Sequence, residues 1–133
     1  MNAHPCRRDV LGLGAGLAAM GILAACSSSE AISEGTVLAD VSDVPEGETI
    51  PVLVGETAVI LSHTPQGDFT AHSAICTHQG CKVLPDDQDP ELLECPCHHS
   101  QFHSYTGEVL KGPATEDLPE IPVTVQDGKI IAA

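Results

Sequence analysis

Two short stretches hold the residues able to do chemistry, Cys76-Thr77-His78-Gln79-Gly80-Cys81 and Cys95-Pro96-Cys97-His98-His99-Ser100. Between them they carry four of the chain's six cysteines and three of its seven histidines. Each stretch sets a thiolate donor beside an imidazole, Cys76 with His78 and Cys95 with His98, and sixteen residues separate His78 from Cys95. Two sulfur and two nitrogen donors suit a tetrahedral zinc ion, or a [2Fe–2S] centre in which two histidines replace two cysteines on one iron. Cys81 and Cys97 are left over, one in each stretch. Closing the two loops around a metal brings these thiols together, and a clamping disulfide is the economical reading of them.

The pattern C-T-H-x-G-C followed by C-P-C-H-x-S resembles the Rieske iron–sulfur proteins, and the likeness runs from about Val52 to Ile131. It implies that Cys76 and Cys95 bind one iron of a single [2Fe–2S] cluster, that His78 and His98 bind the other, and that Cys81 and Cys97 form the family's inter-loop disulfide. Lys111-Gly112-Pro113-Ala114 matches the loop that covers the cluster's third side, so Gly112 and Pro113 join the expected site, and Thr106-Gly107 matches the turn before it. Ser100 is kept where the family has a serine that donates to a bridging sulfide. His99 stands where the family usually has glycine, and Phe102 where high-potential members have a tyrosine that donates to a cysteine sulfur. Donors to sulfur stabilise the more negative reduced state, so keeping the serine and losing the tyrosine points to an intermediate potential. The zinc alternative leaves Cys81 and Cys97 without a role.

The elements around these loops read as strands. Trp is absent and only Phe69, Phe102 and Tyr105 are aromatic, so Val, Ile and Leu must fill the core. Apolar or β-branched runs occur at Thr36 to Ala39, Ile50 to Val54, Thr57 to Leu61 and Phe69 to Ile75, with Pro65-Gln66-Gly67-Asp68 as a turn before the last. Pro85 to Pro90 is polar and proline-bound, hence an exposed connector, and Leu92-Leu93-Glu94 leads back to Cys95. Pro119 to Val125 is expected as a strand, and Asp127-Gly128 before Ile130-Ile131 signals a tight hairpin. The expected fold is an all-β antiparallel sandwich with a small cluster-binding subdomain at one end, the same architecture that the resemblance implies. By that resemblance the two histidines lie at an exposed tip with the cysteine-bound iron deeper; because an imidazole on ferric iron is a stronger acid than free imidazole, electron uptake can be coupled to proton uptake at His78 and His98. His63, His72 and His103 read as strand or surface residues, and His99 as an exposed neighbour of the tip.

Residues 1–25 read as a twin-arginine export signal, with Arg7-Arg8 before a Gly- and Ala-rich apolar run. That run is shorter than the roughly 20 residues of a spanning helix. Leu23-Ala24-Ala25-Cys26 resembles a bacterial lipobox, which makes Cys26 the lipidation site, residues 26–35 a flexible tether and residues 36–133 the Rieske domain. Two acyl chains suffice for stable membrane attachment, and an oxidising compartment outside the membrane favours a Cys81–Cys97 disulfide. Cleavage before Cys26 leaves Lys82, Lys111 and Lys129 against 18 carboxylates, a formal net charge of −15 against −14 for the whole chain. Such a surface argues against nucleic acid as a partner.

No nucleophile–base pair or phosphate-binding glycine loop is visible, so the chain reads as an electron carrier rather than a catalyst on its own. The expected function is one-electron transfer from the outer face of the bacterial cytoplasmic membrane, with a redox protein or membrane oxidoreductase as partner. The alternatives are a subunit of a larger oxidoreductase, of the cytochrome bc or arsenite-oxidase kind, and a structural zinc module. Mass spectrometry of the membrane-extracted protein is expected to find Cys26 as a lipid-bearing N-terminal residue; an unmodified N-terminus overturns the lipobox reading.

Overall fold

The computed structural model describes residues 32–133, so the export signal, Cys26 and most of the tether lie outside the described residues. The regular elements of the described chain are almost all antiparallel strands, arranged in three small sheets. The first has the order β1-β10-β9 (Val37–Asp40, Lys129–Ala132, Val123–Gln126), and the second is the meander β2-β3-β4 (Thr49–Val54, Thr57–His63, Phe69–Ser73). Between β4 and β9 the chain inserts a third sheet, β5-β6-β7-β8 (Leu84–Pro85, Leu92–Glu94, Gln101–His103, Val109–Lys111). A single 3-10 turn at Val41–Asp43 is the only helical element among the described residues, and none of those residues forms a helix long and apolar enough to cross a membrane.

Strand β3 explains how three sheets become one body. Its side chains alternate between two faces, as in any strand, but here both faces are buried. Val59 and Leu61 pack with Leu38, Val44, Ala71 and Ile130 against the first sheet. Ala58 and Ile60 point the other way, into a core with Ala74, Cys76, Val83, Leu93, Cys95 and Phe102. Each large aliphatic side chain so buried contributes about 1.5–3 kcal/mol, and the second core contains the two thiols of the expected site.

A buried polar stitch fixes the inserted sheet against the meander. The Ser62 hydroxyl meets that of Thr49 at 2.9 Å and donates to the Ser104 carbonyl at 3.1 Å. Ser104 donates to the Pro90 carbonyl at 2.7 Å, and the single Thr49 hydroxyl proton is shared between that carbonyl, 3.2 Å away, and Ser62 Oγ. Buried hydroxyls must be paired in this way or cost stability.

The expected turns and strands are present, with shifted ends. Asp127 and Gly128 take φ of 50° and 72° between paired Gln126 and Lys129, the conformation a two-residue type I′ hairpin requires. Strand β4 ends at Ser73 rather than Ile75, because Ala74 also pairs with Val83 and Ile75 with Lys82, which forms the mouth of the first loop. Strand β9 starts at Val123 rather than Pro119, since Pro119 and Pro122 lack the N–H a ladder needs. Pro85 belongs to β5, so the exposed connector begins one residue later than expected.

His72 is buried in β4 beneath the Gly107 turn, beside Leu118 and Glu120. Burial pushes its pKa below the ordinary 6.5, against the opposing pull of Glu120 and the Thr106 backbone. A Cβ at Gly107 would lie 2.6 Å from the His72 ring, and Gly107 has φ of +72°. Gly107→Ala is therefore expected to cost about 2–4 kcal/mol in denaturant unfolding, from left-handed strain plus overpacking. Below about pH 6.5 the unfolded chain binds a proton at His72 that the folded chain resists. Stability should then fall as pH drops through 6.5 towards the lower folded value. His72→Gln should flatten that part of an unfolding-versus-pH profile, and an unchanged slope would exclude His72 as its source.

Candidate metal centre

The two loops that carry the candidate ligands are the same six-residue turn built twice. In the first, the Cys76 N–H donates to the Cys81 carbonyl at 2.6 Å and the Gly80 N–H to the Cys76 carbonyl at 3.0 Å. In the second, the Cys95 N–H donates to the Ser100 carbonyl at 2.9 Å and the His99 N–H to the Cys95 carbonyl at 2.8 Å. The fifth residue of each turn lies in the left-handed region, Gly80 at φ 73° and His99 at φ 61°. A residue with a Cβ pays about 1–2 kcal/mol there.

Three connections hold the loops together. Cys81 and Cys97 are disulfide-bonded, joining the first loop to the second as expected. Thr77 Oγ1 donates to the Glu116 carbonyl at 2.7 Å, which ties the first loop to the segment after Gly112-Pro113. The Ala114 N–H donates to Ser100 Oγ at 3.0 Å, which ties that third loop to the second. Gly112 and Pro113 are both exposed and joined by a cis peptide bond.

Cys76 and Cys95 are free thiols, 3% and 1% exposed, and both belong to the second core. His78 and His98, two and three residues further along their loops, are exposed, their ring centroids 5.0 Å apart and edge to face. The Cys81, Cys95 and Cys97 sulfurs lie within 4.8 Å of one another, but two of these are spent in the disulfide, which leaves Cys95 alone as a possible ligand among them. Two dry thiols and two wet imidazoles, on loops pinned to each other, fit a binuclear group with a sulfur-bound metal inside and a nitrogen-bound metal outside. Those four residues are the ones that could hold it.

The surroundings are partly as anticipated. Ser100 is fully buried, and because Oγ accepts from Ala114 its own proton is left to donate elsewhere. Phe102 is fully buried among the residues around both thiols and brings no polar atom. His63 stacks on Phe69 at 4.0 Å with Nδ1 2.8 Å from the Val44 carbonyl, and His103 lies in β7 with Nδ1 accepting from the Tyr105 N–H, so each is engaged with neighbours outside the two loops. His99 is exposed, as expected, but engaged: Nδ1 lies 3.0 Å from Glu94 Oε1, and Gln101 Nε2 donates to Glu94 Oε2 at 3.1 Å. These two bonds, His99 first, hold the Glu94 carboxyl below its usual pKa. Glu94, Gln101 and Thr77 were not foreseen from the chain; only the matching of the two turns, residue by residue, would have drawn attention to the position before Cys95.

Residues 34–122 match the family model described as the Rieske [2Fe-2S] domain. The chain is 44% identical over 69 residues to the cytochrome bc1 complex Rieske iron-sulfur subunit of Corynebacterium glutamicum, covering 50% of this chain and 17% of that protein. It is 36% identical over 93 residues to the cytochrome b6-f complex iron-sulfur subunit of Chlorobaculum tepidum, covering 69% of this chain and 49% of that one. The chain thus spans half or less of the length of these relatives. Among solved structures, the cyanobacterial plasma membrane Rieske protein from Synechocystis superposes with a TM-score of 0.56 at 30% identity, over 64% of this chain and 85% of that one.

Replacing Cys81 and Cys97 together by serine removes the covalent link between the loops. In the cluster-free protein this should lower stability by about 2–4 kcal/mol, measured by urea unfolding without reductant; no change would mean that the Thr77 and Ser100 bonds suffice.

Proposed function

The chain belongs to the Rieske [2Fe–2S] family, and on that premise we propose that it passes single electrons between its exposed tip and a membrane oxidoreductase. The observation that carries this reading is the polarity of the centre: two buried thiols at the core and two solvent-facing imidazoles 5.0 Å apart. When bound, the family's cluster supplies a one-electron redox couple.

The chain's own residues do the rest. Cys76 and Cys95 offer thiolates from inside the second core, where Phe102 and Leu93 exclude water. His78 and His98 offer nitrogens at the surface, which makes their side the short route for electron exchange and leaves their remaining ring nitrogens open to solvent or a partner. Ser100 Oγ accepts from the Ala114 N–H, and its own proton remains available to donate to a bound cluster. Phe102 offers none, which supports a potential below the top of the Rieske range of about −150 to +300 mV.

The relatives are named as subunits of cytochrome bc1 and b6-f complexes, which supports a partner of the membrane-oxidoreductase class and also a second reading, permanent membership of such a complex. The lipobox ending at Cys26 supports attachment at the outer face of the cytoplasmic membrane, and the Rieske domain then begins at about residue 36 after the tether. The structural zinc alternative gives way to the family's iron–sulfur cluster.

The deciding experiment is a reductive titration of the purified protein followed by low-temperature electron paramagnetic resonance. The expected outcome is a red-brown oxidised protein that gives, on reduction, a signal with average g below the free-electron value and a midpoint that falls as pH rises. A colourless, zinc-containing, silent protein overturns the proposal. Within the same assay Ser100→Ala should lower the midpoint, by loss of a donor to the site, and Phe102→Tyr should raise it; shifts of the opposite sign would remove these two residues from the account of the potential.

A further inference from the structure

Since both ligand loops follow one plan, each serves as a control for the other. Their fifth residues share a left-handed backbone, but one is Gly80 and the other is His99. Glycine adopts that conformation freely, whereas a histidine must be held in it. In front of its first cysteine the first loop has Ile75, which is exposed. In the same place the second loop has Glu94, whose two carboxylate oxygens take His99 Nδ1 at 3.0 Å and Gln101 Nε2 at 3.1 Å. The carboxylate therefore spans the second turn, from the residue before Cys95 to residues on both sides of Ser100.

We propose that Glu94 is a positioning residue for the second loop: through His99 and Gln101 it holds the 95–100 turn closed and sets the direction in which His98 projects towards His78. The proposal rests on the electron-transfer reading above and deepens it. The peptide between His98 and His99 can swing only if His99 leaves its left-handed conformation. With the His99 ring tied to Glu94 it cannot do so without breaking that bond, so the His98 backbone is fixed as well. A glycine here, as Gly80 is in the first loop, would form the turn without strain but with more freedom. Glu94 also places a negative charge beside the loop, which disfavours gain of an electron there.

The test uses the cluster-loaded full chain with Glu94→Ala, Glu94→Gln and His99→Gly. Three quantities are measured: the ligand-nitrogen couplings of the reduced protein by pulsed electron paramagnetic resonance, the midpoint, and, in cluster-free protein, amide hydrogen exchange in both loops. Glu94→Ala is expected to change the couplings of one imidazole only and to raise the midpoint. It should speed exchange at the Cys95 and His99 amides by about tenfold while leaving Cys76 and Gly80 unchanged. Glu94→Gln, whose amide can meet both neighbours once the Gln101 amide turns over, should restore the couplings and the exchange but keep the raised midpoint. His99→Gly should reproduce the Glu94→Ala couplings without the midpoint rise. Unchanged couplings in Glu94→Ala, or exchange that rises equally in both loops, overturns the proposal. If Glu94→Ala takes up no cluster, the cluster-free exchange comparison still decides it. A wild-type protein without any cluster signal would instead sink the electron-transfer reading.

Discussion

The demand on this chain is to keep two thiols dry and two imidazoles wet within a few residues of one another, and the folded answer depends on three loops behaving as one rigid body. A six-residue turn closed by two backbone hydrogen bonds does the local part twice, burying its first cysteine and exposing its histidine. Neither turn could orient its ligand relative to the other alone. The Cys81–Cys97 link, the Thr77 bond to the Glu116 carbonyl and the Ala114 bond to Ser100 close a triangle among the three loops. The first edge uses the two spare thiols and the third a buried N–H and hydroxyl that would otherwise lack partners.

Behind the triangle, one strand with two buried faces lets a chain poor in aromatics build a core on either side of it. Val59 and Leu61 serve the outer pair of sheets, and Ala58 and Ile60 serve the centre. The Thr49, Ser62 and Ser104 hydroxyls then meet at the Pro90 carbonyl and its surroundings, so the inserted sheet is held by directional bonds as well as by apolar contact. This matters for the centre because Cys95 follows β6 directly and Ser100 precedes β7: movement of the inserted sheet would move the ligands. His72, wedged under the Gly107 turn, fills the corresponding corner next to β8 with a ring that is most stable uncharged.

Much of this was legible from residue types and spacing. The Cys76, His78, Cys95 and His98 set, the spare cysteines, the Asp127-Gly128 hairpin and the turn at residues 65–68 all depend on chemistry or backbone conformation that a few adjacent residues impose by themselves. The strand ends at Ser73 and Val123 were misplaced because they depend on which neighbour a segment pairs with. Ala74 and Ile75 look like continued strand but turn to meet Val83 and Lys82. His99 showed only as a departure from a family pattern, since nothing in the order of residues says that its ring reaches five positions back to Glu94.

The sequence by itself determined the pairing of two thiols with two imidazoles as candidate donors, the all-β class and the excess of carboxylates, because residue chemistry, β-branched alternation and carboxylate count are properties of residues in order. Tertiary structure alone decided which thiols are dry, that Ser100 keeps its proton free while Ala114 occupies its oxygen, and that Glu94 braces the second turn. Those outcomes arise from contacts between segments far apart in the chain or from the exact closure of a loop. Burial and hydrogen-bond geometry are set there by the whole packing, and no local pattern encodes them.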